Sequence, residues 1–174
     1  MKRYIHILMT LLLLAMAGTA TAQIGIPGTQ VTFRLDERDW RYLRTFQLDD
    51  GANVYLYCYV GQLVMDDEGD TVIPYLRIYV NEDYDGDIYE LAYERYMQQP
   101  FQSLNEYTHG PGLPRHGGLG YVGAYTNPGD QKDYQFLMTY FRTGDAMVEF
   151  RLETTKDTFK DMEFEFNDIL ESLK

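Results

Sequence analysis

Residues 118–174 read GLGYVGAYTN PGDQKDYQFL MTYFRTGDAM VEFRLETTKD TFKDMEFEFN DILESLK and predict three antiparallel strands followed by an amphipathic helix. Strands are expected over Leu119–Asn127, Tyr134–Phe141 and Ala146–Leu152, because an Asn-Pro-Gly-Asp turn and a Thr-Gly-Asp turn separate three runs of strand-forming residues. These strands and the helix after them form the framework on which the rest of the chain is interpreted.

The helix is predicted from an apolar stripe at helical spacing. Its members are Phe159, Met162, Phe166, Ile169, Leu170 and Leu173. Thr154 followed by Asp157 resembles a capping box, so the helix is expected to begin near Thr154. A second, shorter helix is predicted over Ile88–Met97 by the same periodicity.

The beginning of the chain resembles a secretory signal peptide. Lys2 and Arg3 precede an apolar run, and Ala20-Thr21-Ala22 fits a small-residue cleavage site. The run is too short to span a bilayer comfortably, which disfavours a retained membrane anchor. We therefore expect residues 1–22 to be removed and the protein to be exported to the periplasm or secreted.

The rest of the chain is predicted to be a flexible tail over residues 23–29 and one domain over residues 30–174. Cys58 is the only cysteine, so no intramolecular disulfide can form. Its apolar strand neighbours indicate a buried thiol, and the lone Trp40 is expected to anchor the core.

Charge excludes several partners. The formal net charge is −12, with 27 acidic and 15 basic residues. A surface of this kind repels phosphate backbones and anionic lipid, which disfavours nucleic-acid and membrane-surface binding and leaves cations or basic partners.

Two predicted strands, around residues 53–60 and 72–80, carry a run of tyrosines at odd-numbered positions. The five are Tyr55, Tyr57, Tyr59, Tyr75 and Tyr79. If they share one face of the sheet, they form an aromatic patch, a surface that proteins often use to contact partners. The alternative is that the Ile88–Met97 helix covers them, with Tyr89, Tyr93 and Tyr96 against the sheet; we expect it to cover part of the patch and leave a cleft.

The Gly/Pro-rich loop over Thr108–Gly118 holds a second set of candidate binding residues. These are His109, Arg115 and His116, which could bind an anion, a metal or a partner, or form a solvated loop.

Oxygen ligands alternate at Asn81, Asp83, Asp85 and Asp87, as in the first part of an EF-hand loop. Ala92 stands where the bidentate glutamate should be, so any bound metal is expected to be weakly held calcium. The alternative interpretation is a strand-to-helix connection whose carboxylates favour the helix N-terminus.

Catalytic motifs are missing from the sequence. Ser103 and Ser172 are the serines after the predicted leader, neither lies in a Gly-x-Ser-x-Gly elbow, and there is no Walker or dinucleotide glycine pattern. We therefore expect no enzymatic activity and no cofactor apart from the weakly held calcium; the remaining alternative is an enzyme of unrecognised chemistry, because general acid–base pairs can occur in any set of carboxylates.

The order of these elements resembles the PsbP/Mog1-like α/β sandwich, in particular PsbP-like exported proteins. The resemblance is carried by Gly69-Asp70-Thr71-Val72-Ile73-Pro74 and by the closing Ile169-Leu170-Glu171-Ser172-Leu173-Lys174. It implies a single α+β domain, an antiparallel β-sheet flanked by helices, that acts as a non-catalytic accessory or binding module towards a protein or small ligand.

Overall fold

The computed structural model describes residues 21–98, 101–106 and 118–174. The strands are β1 (Thr21–Gly25), β2 (Thr32–Asp36), β3 (Trp40–Gln47), β4 (Asn53–Tyr59), β5 (Val64–Met65), β6 (Thr71–Val72), β7 (Tyr75–Asn81), β8 (Phe101–Glu106), β9 (Leu119–Thr126), β10 (Asp133–Thr143) and β11 (Ala146–Thr155). Two helices lie within these ranges, α1 (Ile88–Gln98) and α2 (Phe159–Glu171).

Seven strands form one antiparallel sheet in the order β3-β4-β7-β11-β10-β9-β8. β11 is the central strand, and all ten of its residues are buried. Two small ribbons, β1–β2 and β5–β6, complete the strands of the described residues. This arrangement confirms the predicted α+β fold and the three strands expected after residue 118.

One face of the sheet packs against α2 and the β1–β2 ribbon, and we call it the α2 face. Phe166 of α2 and Phe150 of β11 are completely buried there, as is Phe33 of β2, whose ring meets Phe150 edge to face at 5.2 Å. Trp40 is 3% exposed and lies beside Phe166, which confirms its predicted place in the core. The apolar stripe of α2 is buried as its spacing predicts.

The segment 23–29, expected to be a flexible tail, is instead part of the folded domain. β1 pairs with β2 from Thr21↔Asp36 to Gly25↔Thr32, and Ile26 is 1% exposed in the core. The tail prediction was wrong because local Gly and Pro content does not show that the next strand, β2, offers a pairing partner. The predicted leader up to residue 20 lies outside the described residues, and a cut after Ala22 would leave residues 23–25 of β1 in the chain.

The start of α2 also differs from the prediction. Thr154 is the buried next-to-last residue of β11, and the helix begins five residues later, at Phe159, with Thr158 as its N-cap. The hydroxyl of Thr154 contacts that of Thr158 at 2.8 Å. The capping-box pattern therefore belongs to a turn that joins the central strand to the helix.

α1 covers part of the opposite face, which we call the α1 face. Leu91 and Ala92 are buried against Tyr140 and Met147 of the sheet. Tyr89 and Tyr93 of this helix do not pack on the sheet as expected, whereas the Tyr96 ring lies 6.2 Å from that of Phe101 in β8. Tyr89, Tyr93 and Tyr96 are 67%, 65% and 47% exposed.

Within the described ranges, no helix is long and apolar enough to cross a membrane.

Candidate functional site

The register between β4 and β7 separates the five predicted tyrosines. Tyr57 pairs with Leu76 and Tyr55 with Ile78, so odd-numbered residues of β4 share a face with even-numbered residues of β7. Paired residues of antiparallel strands point to the same side of a sheet. The expectation of one continuous tyrosine face was therefore wrong.

The tyrosines of β4 lie on the α2 face as part of its packing. Tyr57 is 9% exposed and meets Phe33 edge to face at 6.1 Å. Tyr55 and Tyr59 are partly buried against the same core, and Tyr59 contacts Trp40. These three rings fill the edge of the core, because the outer strands extend past the area that α2 covers.

Tyr75 and Tyr79 lie on the α1 face, which carries charge at its centre. Glu149, Arg151 and Glu153 of β11 project to this side, and each is at most 3% exposed. Charged side chains are almost never fully buried unless they are paired. The alternation of these charges with buried Val148, Phe150 and Leu152 shows that both faces of the central strand are covered.

The buried charges form ion pairs with arginines from three elements. Arg151 contacts Glu149 at 2.6 Å (Nη2 to Oε1), and Arg77 of β7 contacts Glu153 at 2.6 Å (Nη2 to Oε1). Arg95 of α1 lies with its Nε 3.6 Å from Glu149 Oε2 and its Nη2 2.9 Å from an Asp50 oxygen. The formal charges of the three arginines and three carboxylates cancel.

Aromatic rings surround this cluster. The guanidinium carbon of Arg151 lies 5.3 Å from the ring centre of Phe136 and 5.7 Å from those of Tyr79 and Phe101. Burial, together with the charge of Glu153, raises the pKa of the Tyr125 hydroxyl, which donates to Glu153 Oε2 at 3.2 Å. The neutral phenol is therefore the stable form at every pH near neutrality.

The cluster also contains most of the unsatisfied polar atoms of the described residues. Seven buried side-chain atoms lack a hydrogen-bond partner, and six of them belong to the cluster: the Nε atoms of Arg77, Arg95 and Arg151, Tyr140 OH, Glu149 Oε2 and Glu153 Oε1. The two carboxylate oxygens have the ion-pair contacts given above. Burial, followed by the charge of nearby Glu149, raises the pKa of Tyr140. Buried polar atoms without hydrogen-bond partners are costly, so apolar packing alone does not explain why this network is present.

The α1 face is exposed to solvent at the edge of the sheet formed by β3. Arg44 pairs with Leu56, which pairs with Arg77, and Arg41 pairs with Cys58, which pairs with Tyr75. Because pairing partners share a face, Arg41, Arg44, Tyr75 and Arg77 lie on neighbouring strands of one surface. We call these four residues the arginine patch.

Exposure and pairing set two members of the patch apart. Arg41 and Arg44 are exposed, and neither has an ion pair with any residue that the structure describes. The guanidinium of Arg44 lies over Phe46 at 5.2 Å. Arg77 keeps 34% of its side chain exposed while it holds the buried Glu153.

Cys58 lies between Arg41 and Tyr75 on the same face, and its thiol is buried. It is 7% exposed, and burial raises its pKa although the charge of Arg41 acts in the opposite direction. The prediction that the Cys58 thiol is buried is therefore confirmed.

The acidic segment before α1 caps the helix. Asp87 Oδ1 accepts hydrogen bonds from the backbone N–H groups of Tyr89 (2.8 Å) and Glu90 (2.9 Å), and Glu90 Oε2 accepts one from the Asp87 N–H. This reciprocal pair satisfies the free amides of the first turn. Asp87 thus acts as the alternative interpretation of the acidic segment predicts, as a carboxylate at the N-terminus of a helix.

The remaining predicted ligands do not form a cage. Asn81 Oδ1 accepts a hydrogen bond from the Asp83 N–H, and the carboxylates of Asp83, Asp85 and Asp87 do not all approach within 4.8 Å of one another. The guanidinium of Arg142 donates to two carbonyls of this loop. A positive side chain at this place opposes a second cation.

A different acidic cluster lies at the β5–β6 turn, which the sequence analysis did not single out. Asp66, Glu68 and Asp70 bring carboxylate oxygens within 4.8 Å of one another, the only such group among the described residues. Lys132 forms ion pairs with Asp66 and Asp70, and it lowers the pKa of the Asp66 carboxyl. The chain thus supplies its own cation to this cluster.

His109, Arg115 and His116 lie outside the described residues, so their predicted role stays a prediction.

No known protein family and no curated protein matches this sequence. Solved structures do match. A structure from Bacteroides thetaiotaomicron VPI-5482 is 12% identical over 89% of this chain and 48% of that chain, with a TM-score of 0.52. PA94 from Pseudomonas aeruginosa, a protein of unknown function, is 6% identical over 87% and 94% of the two chains, with a TM-score of 0.50.

The matches also include cyanobacterial PsbP from Synechocystis sp. PCC 6803, from the family that the sequence resembles. It is 10% identical over 91% of this chain and 94% of that chain, with a TM-score of 0.48. The chain spans about half the length of the Bacteroides chain. At such identities, the first two matches show that this chain shares their fold.

Proposed function

We propose that the protein is an exported, non-catalytic binding module that binds acidic groups of a partner through the arginine patch. The observation that carries the proposal is the pair of exposed arginines, Arg41 and Arg44, which have no carboxylate partner among the described residues. Residues 40–48 contain no acidic residue, although the chain has 27. Export is supported by the predicted leader.

Arginine suits this role because its planar guanidinium can bind a carboxylate through two parallel hydrogen bonds. Tyr75 adds contact area with few rotatable bonds, as tyrosines at interfaces commonly do. Arg77 is fixed by its 2.6 Å contact with buried Glu153, so part of the patch is already ordered before a ligand arrives. Pre-ordering lowers the entropy cost of binding.

The net charge of −12 does not exclude an acidic ligand at this place. At physiological salt the Debye length is about 8 Å, so exposed charges farther away are largely screened. The local arginines then dominate at contact. The overall charge is expected to slow the approach of an acidic ligand rather than to prevent binding.

Fluorescence anisotropy with a labelled octaglutamate, in about 150 mM salt, tests the proposal. The variant Arg41→Glu/Arg44→Glu should weaken binding by at least about tenfold, since each exposed ion pair contributes up to roughly fivefold and reversal adds repulsion. The control Lys160→Glu/Lys174→Glu changes the net charge equally on exposed residues elsewhere. Equal loss in both variants, or no binding by the original protein, would refute the patch as a site.

A second candidate function is weak calcium binding, favoured by the Asp66, Glu68 and Asp70 oxygens at the β5–β6 turn. Calcium takes oxygen ligands of this kind. Lys132 would have to be displaced, so we expect affinities at the weak extracellular end, about 10⁻⁴ to 10⁻³ M.

A further inference from the structure

The geometry of β3 points to how the acidic partner binds: we infer that an extended acidic segment pairs with the free edge of β3 as an additional strand. This inference rests on the proposed function and specifies the binding mode. Among the strands of the described residues, β3 ends the seven-stranded sheet and has β4 as its one neighbour. An exposed edge strand presents backbone N–H and C=O groups that an extended peptide can pair with.

The hydrogen bonds at both ends of β3 determine which groups are free. The Leu48 N–H donates to Ala52 O, and the Val60 N–H donates to Asp39 O, so the backbone groups of Leu48 and Asp39 point towards β4. In an antiparallel ladder, alternate residues point towards the neighbour and away from it. Counting inwards from both ends assigns the outward backbone groups to Trp40, Tyr42, Thr45 and Gln47, of which Tyr42 and Thr45 flank the irregularity between Tyr42 and Arg44.

The edge is accessible. Residues 41–45 of β3 are all exposed, and Tyr42 and Leu43 are 51% and 47% exposed. Leu43 is the extra residue where the register shifts, and such a bulge increases the local twist. A partner segment therefore has to be short enough to follow a twisted edge, about four to six residues.

Side-chain direction specifies the segment. Arg41 and Arg44 lie on the α1 face, and Tyr42 and Thr45 lie on the α2 face, where the Tyr42 hydroxyl meets the Thr45 hydroxyl at 2.7 Å. Because side chains alternate along a strand, an added strand would place every second residue beside the arginines. The fitting partner alternates acidic residues with apolar ones, which would lie beside the Tyr42 ring.

Charge excludes a second copy of this chain as the occupant. Two β3 edges paired with each other would bring the arginines of both copies together, and like charges opposite each other on paired strands are unfavourable. The same arginines attract an acidic segment. Charge thus selects the partner while it prevents self-pairing.

The experiment uses the full chain and a labelled Glu-Val-Glu-Val-Glu peptide with blocked ends, in fluorescence anisotropy. Two analogues are N-methylated, one at every valine and the other at every glutamate, so that each loses the N–H groups of one edge only. One analogue should lose on the order of tenfold in affinity or more, and the other should bind nearly as well as the parent. Equal effects of the two analogues would overturn the strand-addition mode.

A variant of the protein provides an independent measurement. Thr45→Pro removes one outward N–H, and proline is tolerated where a strand's N–H faces solvent, so the variant should fold and lose affinity about fivefold or more. Thr45→Ala keeps the amide and should bind as before. Should Thr45→Pro not fold, slowed hydrogen exchange of the Tyr42 and Thr45 amides on peptide addition replaces it, and unchanged exchange refutes the mode.

The outcomes separate this inference from the proposed function. Binding that depends on Arg41 and Arg44 but is equally affected by both N-methylated analogues supports the arginine patch and overturns strand addition. Binding that ignores both arginines overturns the proposed function and this inference together.

Discussion

Breaking one half of the buried ion pair on β11 should destabilise the protein strongly. Glu149 is 1% exposed and lies 2.6 Å from Arg151, which is 3% exposed. Glu149→Leu leaves the Arg151 charge buried without its nearest carboxylate, and such a change costs about 3–5 kcal/mol. Against a typical domain stability of about 5–15 kcal/mol, this is about a fifth of the total or more. For a chain of this size it should lower Tm by roughly 6–20 °C.

Removing both partners should restore most of that stability. In Glu149→Leu/Arg151→Met no charge is stranded, and methionine can keep the contacts with Tyr79 and Phe136. Replacing a buried pair by apolar residues is often neutral or stabilising. Arg95 would lose its 3.6 Å contact with Glu149 but keep Asp50 at 2.9 Å.

Urea denaturation followed by circular dichroism measures all four members of this double-mutant cycle. The double variant should be at least about 2 kcal/mol more stable than the Glu149→Leu variant. Costs that simply add would show that the two residues act independently, and the reasoning about the buried pair would then be wrong.

Three further predictions concern the tyrosines, a half-buried carboxyl and calcium. Tyr57→Ala should lower the free energy of unfolding, measured by chemical denaturation, by about 3 kcal/mol because its ring is in the core. Tyr75→Ala, in the arginine patch, should lower it by less than half as much and should weaken octaglutamate binding; equal losses of stability would contradict their placement. Burial raises the pKa of Glu165 from 4.5, so the folded state binds this proton more readily than the unfolded state and the group favours folding as pH falls. The stability of Glu165→Gln relative to the original protein should therefore be higher at pH 7 than at pH 4, and a pH-independent difference would refute this. Millimolar calcium should raise the melting midpoint slightly, an effect lost in Asp70→Asn but kept in Asp85→Ala; an unchanged midpoint removes calcium as a ligand.

Local sequence predicted the elements that depend on neighbours along the chain. The apolar stripe of α2 and the turns after residue 118 fix their structures through interactions within a few residues. Asp87 and Glu90 form a cap for the same reason, since the groups that they satisfy lie three residues away. β8, in contrast, was not predicted, because its pairing with β9 is not encoded in Phe101–Glu106 itself.

The candidate site could be predicted only in part. Tyr75 was named from the sequence, but Arg41, Arg44 and Arg77 were not, because nothing in their local patterns shows that the three lie on one surface. The buried charges of β11 were missed for a related reason. Glu149, Arg151 and Glu153 alternate with apolar residues, a pattern that on an isolated strand indicates a solvent-exposed face.

What the sequence by itself determined is thus the helices and strands with clear periodicity and turn chemistry, but not β1 or β8. The tertiary structure alone decided which strands are neighbours and in which register. A shift of one residue in pairing moves every side chain of a strand to the other face. Whether two residues of different strands share odd or even numbering therefore does not show whether they share a face. The register of β4 on β7 therefore sent Tyr57 into the core and left Tyr75 on the opposite face beside the arginines.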